Sequence, residues 1–184
     1  MKKLNYALLI AAAILTFSSC KKNNNDPSNG GTSGTNGAGA ATVTAANYGF
    51  DGQSGGKFSS TKAGIIQQTV AGVTTFAISA IKDGSNEAIT ITVLHKISAT
   101  GKFTFGPAES NGGIIITKDY TKPADPGLNY STNNSGSSST GGGEINVTSL
   151  NGNNIEGTFY VVAYNGKGSA AFAEQGTFKG TIKQ

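Results

Sequence analysis

At 184 residues, with 14 basic side chains against 10 acidic ones and a formal charge of +4, the chain is the size of one modest domain and carries no strong electrostatic bias. Every basic residue is lysine, so the planar fork that reads guanine edges and grips phosphates bidentately is missing, which argues against nucleic acid as a partner. The single cysteine excludes an intrachain disulfide, and the single histidine leaves any imidazole-based site with one ring.

Met1-Lys2-Lys3 followed by the mostly apolar Leu4 to Phe17 and the small pair Ser18-Ser19 has the layout of an export signal, predicted over 1–19. An apolar run of 14 residues, broken by Asn5, is shorter than the roughly 20 needed to cross a bilayer. Phe17-Ser18-Ser19-Cys20 resembles the bacterial lipoprotein box, with Phe17 standing where leucine is usual. The resemblance implies that the Cys20 thiol receives a diacylglyceryl group and becomes the acylated first residue, carrying palmitate-like chains. A thiolate is the side-chain nucleophile suited to that thioether, and two or more acyl chains anchor stably where one is marginal. Without Lys2 and Lys3 the remaining twelve lysines and ten acids leave a charge of +2.

Residues 20–40 hold the lipidated cysteine and a Lys/Asn/Ser/Gly run almost free of apolar side chains, expected to be a disordered tether. About 20 residues of such coil span about 25 Å. Lys21-Lys22 would lie at the headgroup layer. Gly37-Ala38-Gly39 has no strand before it, so it reads as linker and not as a phosphate loop.

Residues 41–184 are expected to form one β-domain. Val73 to Ile81 puts Phe76 and Ile78 on one face; Ala88 to Leu94 puts Ile89, Ile91 and Val93 on one face with threonines between. Lys102 to Phe105 and Glu144 to Thr148 alternate in the same way. Asp51-Gly52, Asp83-Gly84, Asn111-Gly112-Gly113, Asn151-Gly152 and Asn165-Gly166 separate the runs and supply positive φ for tight turns. With no helical stripe to cover an apolar face, the pattern predicts an all-β fold: an antiparallel β-sandwich or closed barrel of about ten strands. Gly113 to Ile116 is too apolar for a strand with one wet face. In Ile155 to Tyr164, Ile155, Phe159, Val161 and Ala163 share one face and Tyr160, Val162 and Tyr164 the other, so both faces are expected to be covered.

The segment 117–143 is the one long loop. Pro123 and Pro126 break strand pairing at its start, and its Ser/Gly-rich end from Ser135 should be mobile. Tyr120 and Tyr130 bracket the prolines as candidate ligand-binding residues, either stacking a sugar or peptide or pinning the loop to the sheet.

The lipoprotein box, Asp51-Gly52-Gln53, Ile114-Ile115-Ile116-Thr117, and the pair Glu156-Gly157-Thr158-Phe159 and Gln175-Gly176-Thr177-Phe178-Lys179-Gly180 together resemble a group of small Gram-negative envelope lipoproteins classed as a domain of unknown function. The likeness covers most of Tyr48 to Ile182 and departs at Gly55 and Gly56, where that group often has an aromatic. It implies an all-β fold and an envelope address, and no activity. Independently of it, Gly157 and Gly176 mark a bulge or close backbone approach, with Phe159 and Phe178 directed into the core.

Residues for chemistry are few. His95 continues the Ile89–Ile91–Val93 phase at a strand end and has no carboxylate partner at a diagnostic spacing, so it reads as structural. No Gly-x-Ser-x-Gly elbow is present, and the acids are scattered beside turns. Asp83 to Glu87 only faintly resembles a calcium loop. The sequence therefore predicts no catalytic residue, metal or cofactor. The expected function is a non-enzymatic binding or structural domain for a protein or glycan partner, lipid-anchored at the outer membrane with its face undetermined. The alternatives are a small-molecule carrier with a barrel cavity and an uncharacterised hydrolase, and the absence of tryptophan counts against carbohydrate.

Overall fold

The computed structural model describes residues 39–184 apart from Ser54; the signal peptide, Cys20 and the tether as far as 38 lie outside the described residues. Ten strands account for the regular structure: β1 Gly39–Phe50, β2 Gly56–Val70, β3 Val73–Ile81, β4 Ala88–Val93, β5 Gly101–Phe105, β6 Gly112–Thr117, β7 Asn129–Ser131, β8 Gly142–Asn151, β9 Asn154–Tyr164 and β10 Ala170–Lys183. The first strand opens two residues before the expected domain start at 41.

Of the sandwich and the barrel, the chain forms the barrel. β1, β2, β3, β4, β6, β7, β9 and β10 close a ring of eight strands, antiparallel at each step of the ring, and β8 and β5 are added to it. β9 explains how one sheet carries both parts. Its residues from Asn154 to Val162 pair with β8, and its last residue, Tyr164, meets Ser131 of β7, which in turn pairs with β6. β5 leaves its sequence neighbours and pairs with the outer edge of β8, from Gly101 opposite Val147 to Phe105 opposite Gly143.

Hairpin turns set the register where the sequence offers positive φ. Asp51 (φ 56°) and Gly52 (φ 72°) turn β1 into β2, and Gly152 (φ 58°) turns β8 into β9. Ala71 (φ 50°) and Gly72 (φ 82°) form a further tight turn between β2 and β3 that has no Asn or Asp to announce it. Two expected turns differ. Asn111-Gly112-Gly113 begins β6 beside Thr92 instead of closing a hairpin, and at Asn165-Gly166 the positive φ falls on Gly168.

Alternation fills the ring. Ile89, Ile91 and Val93 of β4, Phe76 and Ile78 of β3, and Ile114 and Ile116 of β6 are all buried and join Phe58, Ile65, Ile145, Ile155 and Phe178 in one contiguous core. An eight-stranded barrel is just wide enough for side chains to occupy its interior, and these residues do so. The Gly-Thr-Phe segments of β9 and β10 run antiparallel in direct register: Gly157 faces Phe178, Thr158 faces Thr177, and Phe159 faces Gly176. A side chain at Gly157 would meet the Phe178 ring and the Asn146 carbonyl, and one at Gly176 would meet the Phe159 ring. Each glycine makes room for the phenylalanine of the other strand, and a bulge at Gln175 (φ 51°) follows on β10.

The outer face of β9 corrects an expectation. Although β9 is hydrogen-bonded on both edges, Tyr160 (50% exposed) and Val162 (37%) face solvent, and the ring of Tyr164 alone lies against the long loop, over Gly136. Hydrogen bonding to two neighbours makes a strand central within its sheet without covering its outward side chains.

Strand directions give the barrel two ends. The turns at 51–53 and 165–169 and the connections 82–87 and 118–128 lie at one end, called the mouth here. Gly39, the Ala71-Gly72 turn, the Gly152 turn and Lys183 lie at the other.

Candidate functional site

The mouth gathers aromatic rings beneath two lysine–carboxylate pairs. Tyr48, two residues before the end of β1, packs edge-on to Phe50 (5.4 Å between ring centres) and tilted against Phe58 (5.1 Å); Phe50 continues to Tyr130 (5.2 Å). Aromatic pairs at such spacing stabilise beyond simple burial, so the rings form a firm floor.

The 82–87 connection supplies one charge pair. Its backbone closes by Lys82 N–H donating to the Glu87 carbonyl (2.8 Å), and Ser85 Oγ accepts the Glu87 N–H (2.9 Å). Asp83 ties the connection to β2, its carboxylate accepting the Thr61 N–H (3.2 Å) and hydroxyl (3.1 Å). These bonds set Lys82 and Glu87 side by side, where Nζ donates to Oε2 at 2.6 Å and also lies 5.1 Å from the centre of the Tyr48 ring. The second pair joins the β1–β2 turn to the start of the β6–β7 connection, since β7 divides the segment 117–143 that the sequence presents as one loop: Lys118 Nζ lies 3.6 Å from Asp51 Oδ2 and 5.3 Å from the centre of the Phe50 ring. Asp51 is held by its N–H donating to the Ala170 carbonyl at 2.6 Å.

Together Tyr48, Gly49, Phe50, Asp51, Lys82, Glu87 and Lys118 border an open depression of about 270 Å³. One group in it lacks a partner. The Tyr48 hydroxyl is sealed from solvent beside the Glu87 carboxylate, without a hydrogen bond of good geometry to it. Burial, followed by the Glu87 charge, pushes this phenol far above the usual tyrosine range. Tyr130 is raised in the same direction, first by burial and then by the Asp51 charge. Both phenols are therefore neutral at physiological pH, and the net charge of the two ion pairs is zero.

Of the two tyrosines singled out in the sequence, Tyr130 sits in β7 and is 2% exposed, so its ring supports Phe50 from inside and is not available to stack on an external ligand. Tyr120 is 44% exposed, its N–H donating to the Asn86 carbonyl (2.9 Å), and it flanks a neighbouring depression with Ile81 and Lys82. The two rings do not share a stacking surface. His95 is exposed beyond the end of β4, and Asp83 serves the turn. Cys20 lies outside the described residues. Among the described residues no three His, Cys, Asp or Glu side chains converge as a metal ion would require.

Sequence reasoning missed Tyr48, Phe50, Lys82, Glu87 and Lys118. Asp51-Gly52-Gln53 and Asp83 to Glu87 were the sequence signals near them, and both mark turns. Comparison of the chain with protein-family models, with curated proteins and with solved structures gives no match to any of them.

Proposed function

We propose that this chain is a lipid-anchored lipoprotein of the cell envelope, held at the outer membrane through acylated Cys20, whose barrel is a non-enzymatic binding domain for a protein or glycan partner. The observation that carries the binding reading is the mouth itself: two lysine–carboxylate pairs, Lys82–Glu87 and Asp51–Lys118, bordering an open depression over the Tyr48 and Phe50 rings. Strand β1 enters at the far end and reaches the mouth after 12 residues, or about 40 Å of extended chain. A chain anchored ahead of β1 thus has its mouth at the opposite end of the barrel. The packed interior gives the carrier alternative no support, because a carrier needs an enclosed apolar space.

The anchor and the mouth are tested separately. Cys20→Ala should leave the protein uncleaved or release it from the membrane fraction; unchanged attachment of a cleaved chain overturns the anchor. Lys82→Glu combined with Lys118→Glu, made in a chain that also carries Cys20→Ala and so has no lipid, should abolish retention of the purified chain on isolated envelope fractions while its thermal melting stays cooperative. Retention equal to the parent removes the mouth as the binding surface.

A further inference from the structure

We infer that the mouth takes a single neutral sugar ring, a hexose or N-acetylhexosamine unit of a glycan; this rests on the mouth being a binding site. Three features select that chemistry. The first is charge. Both carboxylates and both ammonium groups are already matched, Lys82 with Glu87 and Lys118 with Asp51. A ligand with net charge would add a like-charge contact to whichever pair it approached. A hydroxyl donates to a carboxylate and accepts from an ammonium, so neighbouring sugar hydroxyls can insert into or bridge both pairs with every group satisfied.

The second feature is the Tyr48 phenol, which is sealed beneath Lys82 and beside Glu87 and so leaves the floor of the depression uncharged. The third is shape. Half-buried Phe50 presents apolar surface next to the polar groups, which suits the carbon-bound hydrogens on one face of a pyranose. The volume of about 270 Å³ lies below the roughly 300–1,000 Å³ of pockets for drug-sized ligands, and fits one ring better than an extended chain buried along its length. Gly49 and Gly56 on the border carry no side chain to close it.

The test uses the purified full-length chain and amide nuclear magnetic resonance spectra, titrated with methyl glucoside, N-acetylglucosamine, glucuronate, glucosamine and trialanine. The expected result is saturable shifts at Tyr48 to Asp51, Lys82 and Lys118 with the two neutral sugars, and weaker or no shifts with the charged sugars and the peptide. Glu87→Gln and Asp51→Asn should each weaken neutral-sugar binding about tenfold, the loss of one charge-assisted hydrogen bond. Asn tolerates positive φ, so the second variant retains the turn. Tyr160→Ala, on the outer wall, should leave the affinity unchanged. Stronger shifts with a charged sugar, shifts with trialanine alone, or no neutral-sugar shifts at the mouth would each overturn the assignment. If neutral sugars fail while the double lysine variant still abolishes envelope retention, the sugar falls and the mouth remains a binding site. If that variant is retained as well, both fall.

Discussion

The Gly-Thr-Phe pair on β9 and β10 and the aromatic floor of the mouth both join rings across neighbouring strands, but their surroundings differ. On β9 and β10 each ring lies over a glycine, the flanking threonines face outward, and Phe159 and Phe178 are sealed from water. At the mouth Tyr48 and Phe50 lie under lysines, and a hydroxyl is buried without a bond. The first arrangement gains all it can from burial, whereas the second carries a polar cost that folding alone does not recover. A protein stays marginally stable while bearing such a cost only when other regions offset it, and the closely packed β9–β10 wall is one such region.

Phe178→Ala should give the largest effect, a loss of about 3–5 kcal/mol in denaturant unfolding, because the ring leaves a cavity above Gly157. A loss below about 1 kcal/mol would mean that the wall is not the stronger region. Gly157→Ala should cost about 1–3 kcal/mol by overpacking the same ring against a backbone carbonyl. At the mouth the sign reverses. Tyr48→Phe should stabilise by about 1 kcal/mol, since it deletes an unbonded hydroxyl. A comparable loss in that variant would show that Glu87 accepts its hydrogen after all.

The pH dependence sharpens the same contrast. The folded state holds the Tyr48 proton to higher pH than the unfolded chain does, so the unfolded state binds fewer protons once its own phenol titrates. Stability attributable to this group is therefore complete below about pH 10 and falls as pH rises beyond it. Unfolding titrations at alkaline pH should show a shallower decline for Tyr48→Phe than for the parent. Tyr160→Ala should change stability by no more than about 0.5 kcal/mol, as the side chain lies on the wet side of β9.

Much of the barrel was legible because period-two patterning acts locally. Ile89, Ile91 and Val93 announce the buried face of β4, and Asp51-Gly52 announces its turn. The pairing of β5 with β8 was not, because residues 101–105 and 143–147 find each other across 38 or more positions and nothing in their alternation names a partner. Ala71-Gly72 was hidden because alanine rarely adopts the φ it has there. Tyr160 and Val162 misled because apolar residues on both sides of a strand signal two-sided burial only when something packs against the second side. The mouth was the least legible part: Lys82, Glu87 and Lys118 look like ordinary turn charges, and the tertiary closure of four connections brings them to Tyr48 and Phe50.

Strand β1 completes the ring by lying beside β10, Ala41 opposite Gly180 and Phe50 opposite Ala171. Until the final strand has been synthesised, β1 has no partner on that edge and the cylinder cannot shut. Such long-range pairing makes folding slow compared with the local hairpins. The barrel therefore stays open for as long as its last segment is missing.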